Sequence, residues 1–245
     1  MSEKSQWGSK LGFILASAGS AIGLGAVWKF PYMTAVNGGG GFLLVFLIST
    51  LLIGFPLLLA EFALGRSAGV SAIKTFGKLG NNHKYNFIGW IGAFALFILL
   101  SFYSVIGGWI LVYLGIEIGR LFHLIGIGDY AQQFSSIISN PFIALGAQAA
   151  FIFLNIFIVS HGVQKGIERA SKVMMPLLFI IFVIIIGCSL SLPNAMEGVV
   201  YFLKPDFSKL TSAGLLYALG QSFFALSLGV TAMLTYASYL DKKTN

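Results

Sequence analysis

Charged residues are scarce in this 245-residue chain, at 9% of the sequence, whereas a soluble domain carries roughly 25%. Hydrophobic residues make up 57%, and the mean hydropathy is +0.89. Apolar runs of about 20 residues are long enough to cross the hydrocarbon core of a bilayer as helices. The composition therefore excludes an ordinary soluble domain and predicts an all-α integral membrane protein.

Cysteine, histidine and catalytic motifs are equally sparse. The single cysteine, Cys188, excludes a disulfide framework, and we expect a buried, inert thiol. The three histidines, His83, His123 and His161, are too scattered for a transition-metal site. Because no nucleophile-elbow motif stands at a position that would make sense for one, the sequence does not indicate an enzyme.

The chain carries a net charge of +7, and the distribution of this charge indicates membrane orientation rather than nucleic-acid binding. With the N-terminus inside, four of the fifteen basic residues fall on or toward the outer side, namely Lys29, Arg120, Lys204 and Lys209. The other eleven lie in cytoplasmic segments, as the positive-inside rule requires. We therefore predict a multi-pass protein of the cell membrane with both ends of this chain in the cytoplasm.

Six apolar segments are long enough to span the membrane. They lie at 11–36, 42–64, 87–116, 142–161, 173–191 and 213–240. The apolar region of the first segment is longer than that of a secretory signal peptide. Since no linker divides the chain, the sequence predicts one transmembrane domain over 1–245, with connecting loops near 66–86, 117–141, 162–172 and 192–212.

Two of these segments carry candidate helix breaks near the middle of the membrane. Gly19, Gly23 and Gly25 fall within seven residues of the first segment, and residues 227–231 interrupt the sixth. Glycine weakens a helix and admits another backbone or a ligand, but small residues also serve tight helix packing. Paired breaks are typical of a transporter site, where unwound backbone presents carbonyls to a cation and amides to a carboxylate.

Two ionisable residues lie within spans, where a charge is costly and usually functional. Glu61, near the end of the second span, suits either a structural acid that accepts hydrogen bonds from non-helical backbone or a proton-coupling group. Lys29 either snorkels to the outer interface or pairs across an access path. The spacing alone leaves both pairs of alternatives open.

Several motifs resemble the neurotransmitter:sodium symporter family, in its prokaryotic amino-acid branch. The matching segments are Trp7, 12–15, 19–25, 30–32, 37–40, 54–56, Glu61, 65–66, 165–169, 204–207, 221–229 and 235–239. They follow the family's order over nearly the whole chain. The resemblance implies a leucine-transporter-type fold of six transmembrane helices, consisting of the first inverted repeat plus the sixth helix, with discontinuous first and sixth helices.

The resemblance also implies an amino-acid site. The substrate carboxylate would meet the amides of Leu24 and Gly25 and the hydroxyl of Tyr103, and the amine would meet backbone carbonyls. The further residues implied at the amine or around the side chain are Ala21, Leu99, Phe224, Ala225, Ser227 and Val230. Because relatives that carry amines have an aspartate at the position of Gly23, this chain resembles the amino-acid carriers.

For sodium, the resemblance implies backbone carbonyls of Gly19 and Ile22 at one site and of Ala21 at the other. At the site that uses the Ala21 carbonyl, the family also has two side-chain ligands, and Ala26 and Ala225 stand at their positions. We therefore expect one sodium per cycle. Chloride is not expected, because Phe46 lacks the hydroxyl of chloride-dependent relatives.

The family's gates would be formed by Lys29 and Gln221 on the outer side and by Trp7 and Lys4 on the inner side. Family members have eleven or twelve spans, so the resemblance implies an incomplete or split symporter, with a second chain as a candidate source of the remaining helices. The alternative is a non-transporting membrane relative, either vestigial or amino-acid-sensing. An ion channel is disfavoured, since no filter motif is present.

Overall fold

The computed structural model describes residues 6–23, 25–123, 126 and 128–241. These residues are predominantly helical, and the all-α fold predicted from the sequence is confirmed. The α-helices are α1 Lys10–Ala21, α2 Phe30–Val36, α3 Gly40–Ser49, α4 Phe55–Ala68, α5 Ala72–Leu79, α6 Asn86–Leu121, α7 Tyr130–Ser139, α8 Pro141–Ser160, α9 Arg169–Leu190, α10 Ala195–Leu203, α11 Ser212–Ala225 and α12 Ala232–Ser238.

Four helical stretches within the described residues are long and apolar enough to cross a membrane. They are Gly40–Ala68, His83–Leu121, Pro141–Ser160 and Val163–Leu190. They correspond to the predicted second to fifth spans, of which the fourth and fifth were predicted to end one residue later. The first and fourth of these stretches include π-helical turns, at Thr50–Gly54 before α4 and at Val163–Glu168 before α9. The chain is therefore a multi-pass membrane protein.

The predicted first and sixth spans are interrupted helices. Lys10–Ala21 and Gly25–Val36 form a pair bent by 49°. The later part of this pair begins with a π-helical turn, Gly25–Lys29, that leads into α2. The sixth span consists of α11 and α12, with non-helical residues 226–231 between them.

Three predicted loops contain helices, so the loop predictions need correction. Helix α5 lies in 66–86, α7 in 117–141 and α10 in 192–212, while the predicted turn 162–172 is largely helical. Local capping explains one of them: the Asp129 side chain accepts hydrogen bonds from the Ala131 and Gln132 amides at the start of α7. A short, partly polar helix of this kind resembles a loop in a scan for apolar runs.

The described residues form two compact units, one from Met1–Ala93 with Val163–Asn245 and the other from Phe94–Gly162. In the first unit, α4 packs against α12, and the side chains of Phe42, Met233 and Leu234 are fully buried. In the second, the Gln148 amide donates to the Ser104 hydroxyl at 2.9 Å and links α8 to α6. The single transmembrane domain stays a prediction.

Apolar side chains on the outside of the helices are highly exposed, as expected for a surface that meets lipid. Phe142 is 87% exposed and Leu52 is 72% exposed. Cys188 is also exposed, which corrects the expectation of a buried thiol. The reason is its place on α9, a helix that has no buried residue in this structure.

Candidate functional site

The interruptions of the first and sixth spans meet within the first unit. Helix α1 ends at Ala21, and Ile22 and Gly23 follow it; we call this the first break. Residues 226–231 form the second break. The Ser227 hydroxyl donates to the carbonyl oxygen of Ser20 at 3.0 Å, so that the last turn of α1, just before the first break, is joined directly to the second break.

The second break has an unusual backbone. Ser227, Gly229 and Thr231 have φ values of 54°, 78° and 60°, in the left-handed region. Residues other than glycine adopt this region at a cost in conformational energy, and residues strained in this way cluster at functional sites. Because every second residue from 227 to 231 has a left-handed backbone, regular helical hydrogen bonding is interrupted. Backbone amides and carbonyls of the break are therefore available for other partners.

Glu61 of α4 satisfies one of these backbone groups. Its Oε1 atom accepts a hydrogen bond from the Gly229 amide at 2.7 Å. This is the geometry required of a structural acid that supports non-helical backbone, one of the two roles considered for Glu61. A carboxylate bonded to a backbone amide is a strong acceptor and fixes the position of the break.

Gly25 of the first span lies close against the Phe224 ring of the sixth. A Cβ atom built on Gly25 would lie 2.1 Å from Cε1 of Phe224, so that only glycine allows the ring to occupy this place. The Gln221 side-chain amide donates to the Gly25 carbonyl at 3.3 Å. The Lys29 ammonium lies 5.6 Å from the centre of the Phe224 ring, within range of a cation–π interaction.

Gly23, by contrast, faces open space. Apart from its chain neighbours, none of the described residues has an atom within 4 Å of a Cβ atom built on it. The position at which amine carriers have an aspartate therefore has room for a side chain here. Leu24, the next residue, lies outside the described residues, as does Lys4 of the predicted inner gate.

The end of α1 provides carbonyl groups suited to a hard cation. The last four carbonyls of an α-helix lack intrahelical partners, and those of Gly19 and Ala21 belong to this set. Ile22 follows directly, and its amide donates to the Ala18 carbonyl at 2.8 Å. Such oxygens fit sodium, which prefers oxygen ligands, while the methyl groups of Ala26 and Ala225 add none.

Trp7 packs against the far end of the sixth span. Its indole Nε1 donates to the Tyr236 carbonyl at 2.9 Å, and its backbone amide donates to the Tyr239 carbonyl at 3.3 Å. The Trp7 ring also meets the rings of Phe13 and Tyr236 edge to face. The predicted inner-gate tryptophan is thus held against α12.

The predicted site residues divide between the two units. Gly19, Ala21, Ile22, Gly25, Phe224, Ala225, Ser227 and Val230 belong to the first unit, and Leu99 and Tyr103 lie on α6 in the second. Sequence reasoning missed Ser20 as the partner of Ser227. The available signal was a hydroxyl residue beside Ala21, within the glycine-rich segment of the first span.

Comparison with known proteins gives a consistent result. A model of the family described as "Sodium:neurotransmitter symporter family" matches residues 4–120 and 135–245. The sodium-dependent transporter YhdH of Bacillus subtilis (strain 168), described as uncharacterized, is 50% identical over 240 residues, which are 98% of this chain and 53% of YhdH. An uncharacterized sodium-dependent transporter of Haemophilus influenzae is 36% identical over 256 residues, covering 99% of this chain and 55% of the relative.

A solved structure is also similar. The crystal structure of MhsT in complex with L-phenylalanine superposes with a TM-score of 0.88 at 43% identity, over 98% of this chain and 55% of MhsT. The chain thus spans about half the length of the relatives that it matches.

Proposed function

Because this chain belongs to the sodium:neurotransmitter symporter family, we propose that it forms the part of a sodium-coupled amino-acid symporter that contains the two broken helices. The observation that carries the proposal is the direct link between the end of α1, beside the first break, and the second break, from the Ser227 hydroxyl to the Ser20 carbonyl at 3.0 Å. Two interrupted helices that meet at mid-membrane supply unpaired amides and carbonyls, which bind a carboxylate and a cation without buried charged side chains. Alternating access then moves the broken helices relative to the scaffold.

The substrate we propose is an amino acid with a free carboxylate. The amides of Leu24 and Gly25 and the Tyr103 hydroxyl would bind this carboxylate, and backbone carbonyls near Ala21 and Ala225 would bind the amine. Gly23 supports this choice, since a substrate that brings its own carboxylate needs no aspartate there. MhsT, the similar solved structure, holds L-phenylalanine.

We further propose one sodium ion, held by carbonyls of Gly19 and Ile22 with ligands from outside this chain. The carbonyl of Ala21 remains at the other candidate position, but Ala26 and Ala225 contribute no side-chain oxygen. Loss of two ligands weakens a cation site, because affinity depends on ligand number. Chloride coupling is not proposed, since Phe46 has no hydroxyl.

The remaining helices would come from further polypeptide, such as a second chain. We propose a cell-membrane location with both ends of this chain in the cytoplasm, on the basis of the eleven basic residues on that side. The alternative is a non-transporting or amino-acid-sensing relative. The observation that favours it is the loss of side-chain oxygens at Ala26 and Ala225.

The proposal is tested by sodium-dependent amino-acid binding. The purified chain is measured with a panel of labelled amino acids, alone and together with the part of YhdH that lies beyond its match to this chain. The variant Tyr103→Phe removes the hydroxyl proposed to bind the carboxylate, and Tyr113→Phe on the same helix is the matched control. A lost hydrogen bond to a charged group costs about 1.5–3 kcal/mol, so the dissociation constant should rise roughly 10- to 150-fold in Tyr103→Phe.

Binding that needs sodium, and that weakens in Tyr103→Phe but not in Tyr113→Phe, supports the symporter. Binding that is independent of sodium favours the sensing alternative. No binding under any condition contradicts the proposed amino-acid site.

A further inference from the structure

A buried carboxylate outside the broken-helix site lies beside the start of α1. Glu168 ends the π-helical turn Val163–Glu168, and only 2% of its surface is exposed. It accepts hydrogen bonds from the Gly8 amide at 2.6 Å, the Ser9 hydroxyl at 2.8 Å and the Lys172 ammonium at 2.6 Å. A buried charge without partners is strongly unfavourable, so the burial of the Glu168 carboxylate requires these three donors to stay in place.

The packing around this carboxylate is tight. A Cβ atom built on Gly12 would lie 2.3 Å from the carboxyl carbon of Glu168, so the carboxylate fits only against glycine. The Ser9 hydroxyl oxygen, which donates to Glu168, also accepts from the Gly12 amide at 3.0 Å and caps α1. The backbone of residues 8–12 is therefore held in place by Glu168, the residue directly before α9.

The same segment carries Trp7, which is bonded to the carbonyls of Tyr236 and Tyr239 at the end of α12. Trp7 is one residue before Gly8, and consecutive Cα atoms are about 3.8 Å apart. Hence Trp7 cannot move far while the Gly8 amide stays bonded to Glu168. Residues 7–9 form a short strap, held by Glu168 at one end and by α12 at the other.

We propose that Glu168 is a positioning residue for Trp7. Its hydrogen bonds to Gly8 and Ser9 hold the tryptophan against α12, and they must break before Trp7 can leave that position. The interpretation of this departure as the opening of an inner gate rests on the proposed function. The contacts of Glu168, and the exposure of Trp7 that they control, do not depend on it.

The test follows Trp7 itself, in a chain in which the other tryptophans are replaced by Trp28→Phe, Trp90→Phe and Trp109→Phe. Quenching of Trp7 fluorescence by acrylamide reports its exposure to solvent. Amide hydrogen exchange of the peptide 6–12 reports the release of the strap, and exchange in α4, α12 and Pro141–Ser160 reports the rest of the fold. Glu168→Gln removes the charge while keeping the size of the side chain.

Two further variants make the test specific. Gly12→Ala leaves Glu168 unchanged but displaces its carboxylate, so it should have the same effect as Glu168→Gln. Lys172→Gln removes the ion pair and leaves the bonds to Gly8 and Ser9, and it should have a smaller effect, because the Lys172 side chain is 41% exposed. If Gly12→Ala does not fold, Ser9→Ala, which removes one of the three donors, takes its place.

We expect Glu168→Gln and Gly12→Ala to raise the quenching of Trp7 and to accelerate exchange in residues 6–12 about tenfold, with α4, α12 and α8 unchanged. The tenfold figure corresponds to one lost hydrogen bond to a charged group. Unchanged quenching in both variants would overturn the proposal, and so would acceleration that spreads equally to α4 and α12. Since neither readout requires sodium or an amino acid, failure here leaves the proposed transport function standing, and failed binding leaves the role of Glu168 standing.

Discussion

Replacing Gly25 by alanine tests the contact between the first break and Phe224. The added methyl group would lie 2.1 Å from Cε1 of the ring. Gly23 provides a matched control two residues away, because its Cβ would meet no described residue beyond its chain neighbours within 4 Å. The two variants add the same atom to the same segment, and they differ in the space that receives it.

The expected magnitude follows from this distance. Carbon atoms in contact are about 3.5–4.0 Å apart, so the Phe224 ring must move by roughly 1.5 Å or more. Overpacking of this kind typically costs about 1–3 kcal/mol. For a chain of this length, each kcal/mol lowers the melting temperature by about 2–4 °C, which gives a decrease of about 2–12 °C for Gly25→Ala.

The assay is thermal unfolding of the purified chain in detergent without substrate, followed by far-ultraviolet circular dichroism. We expect Gly23→Ala to melt within about 2 °C of the unmodified chain. A methyl group added in open space changes the free energy of unfolding by less than about 0.5 kcal/mol. Equal melting temperatures for the two variants, or a higher temperature for Gly25→Ala, would refute the packing of Phe224 on Gly25.

Two other predictions follow from hydrogen-bonded carboxylates. Glu61→Gln exchanges a charged acceptor for a neutral one and weakens the bond from the Gly229 amide by about 1–1.5 kcal/mol, so exchange of that amide should accelerate roughly 5- to 13-fold by mass spectrometry, and unchanged exchange would argue against this contact. In the loop after α10, the side chain and backbone amide of Ser208 hold the pKa of Asp206 below its ordinary value of 3.8. Because the folded pKa is depressed, this stabilisation is present above 3.8 and is lost as the pH falls through the folded pKa. Acidification below pH 3.8 should therefore accelerate exchange of the Ser208 amide, relative to its intrinsic rate, in the unmodified chain. An equal acceleration in Asp206→Asn, which has no carboxylate to protonate, would show that protonation of Asp206 is not the cause.

The spans and their interruptions could be predicted from the sequence because they depend on local composition. Long apolar runs predict membrane helices, and the glycines around Gly23 together with residues 227–231 predict the two breaks. Both breaks are present in the structure, with Ser227 and Thr231 in left-handed conformations. These features need no knowledge of distant contacts.

The contacts of the site could not be predicted in the same way. The Ser20–Ser227 bond joins residues 207 positions apart, and the Ser9–Glu168 bond joins residues 159 positions apart. Partners at such separations depend on how the helices pack, which apolar periodicity does not specify when the helices are hydrophobic on all sides. Glu168 was visible only as part of a motif in a predicted turn, and its burial follows from the approach of Gly12.

The most direct measurement of the central claim is amino-acid uptake into proteoliposomes that contain this chain together with the remaining part of YhdH. Uptake is followed under an inward sodium gradient, under an equal potassium gradient and over a sodium titration. A sodium-coupled symporter with one sodium site predicts accumulation only under the sodium gradient, with a hyperbolic dependence on sodium. Uptake that proceeds equally under potassium would contradict sodium coupling, and a sigmoidal sodium dependence would contradict the single site.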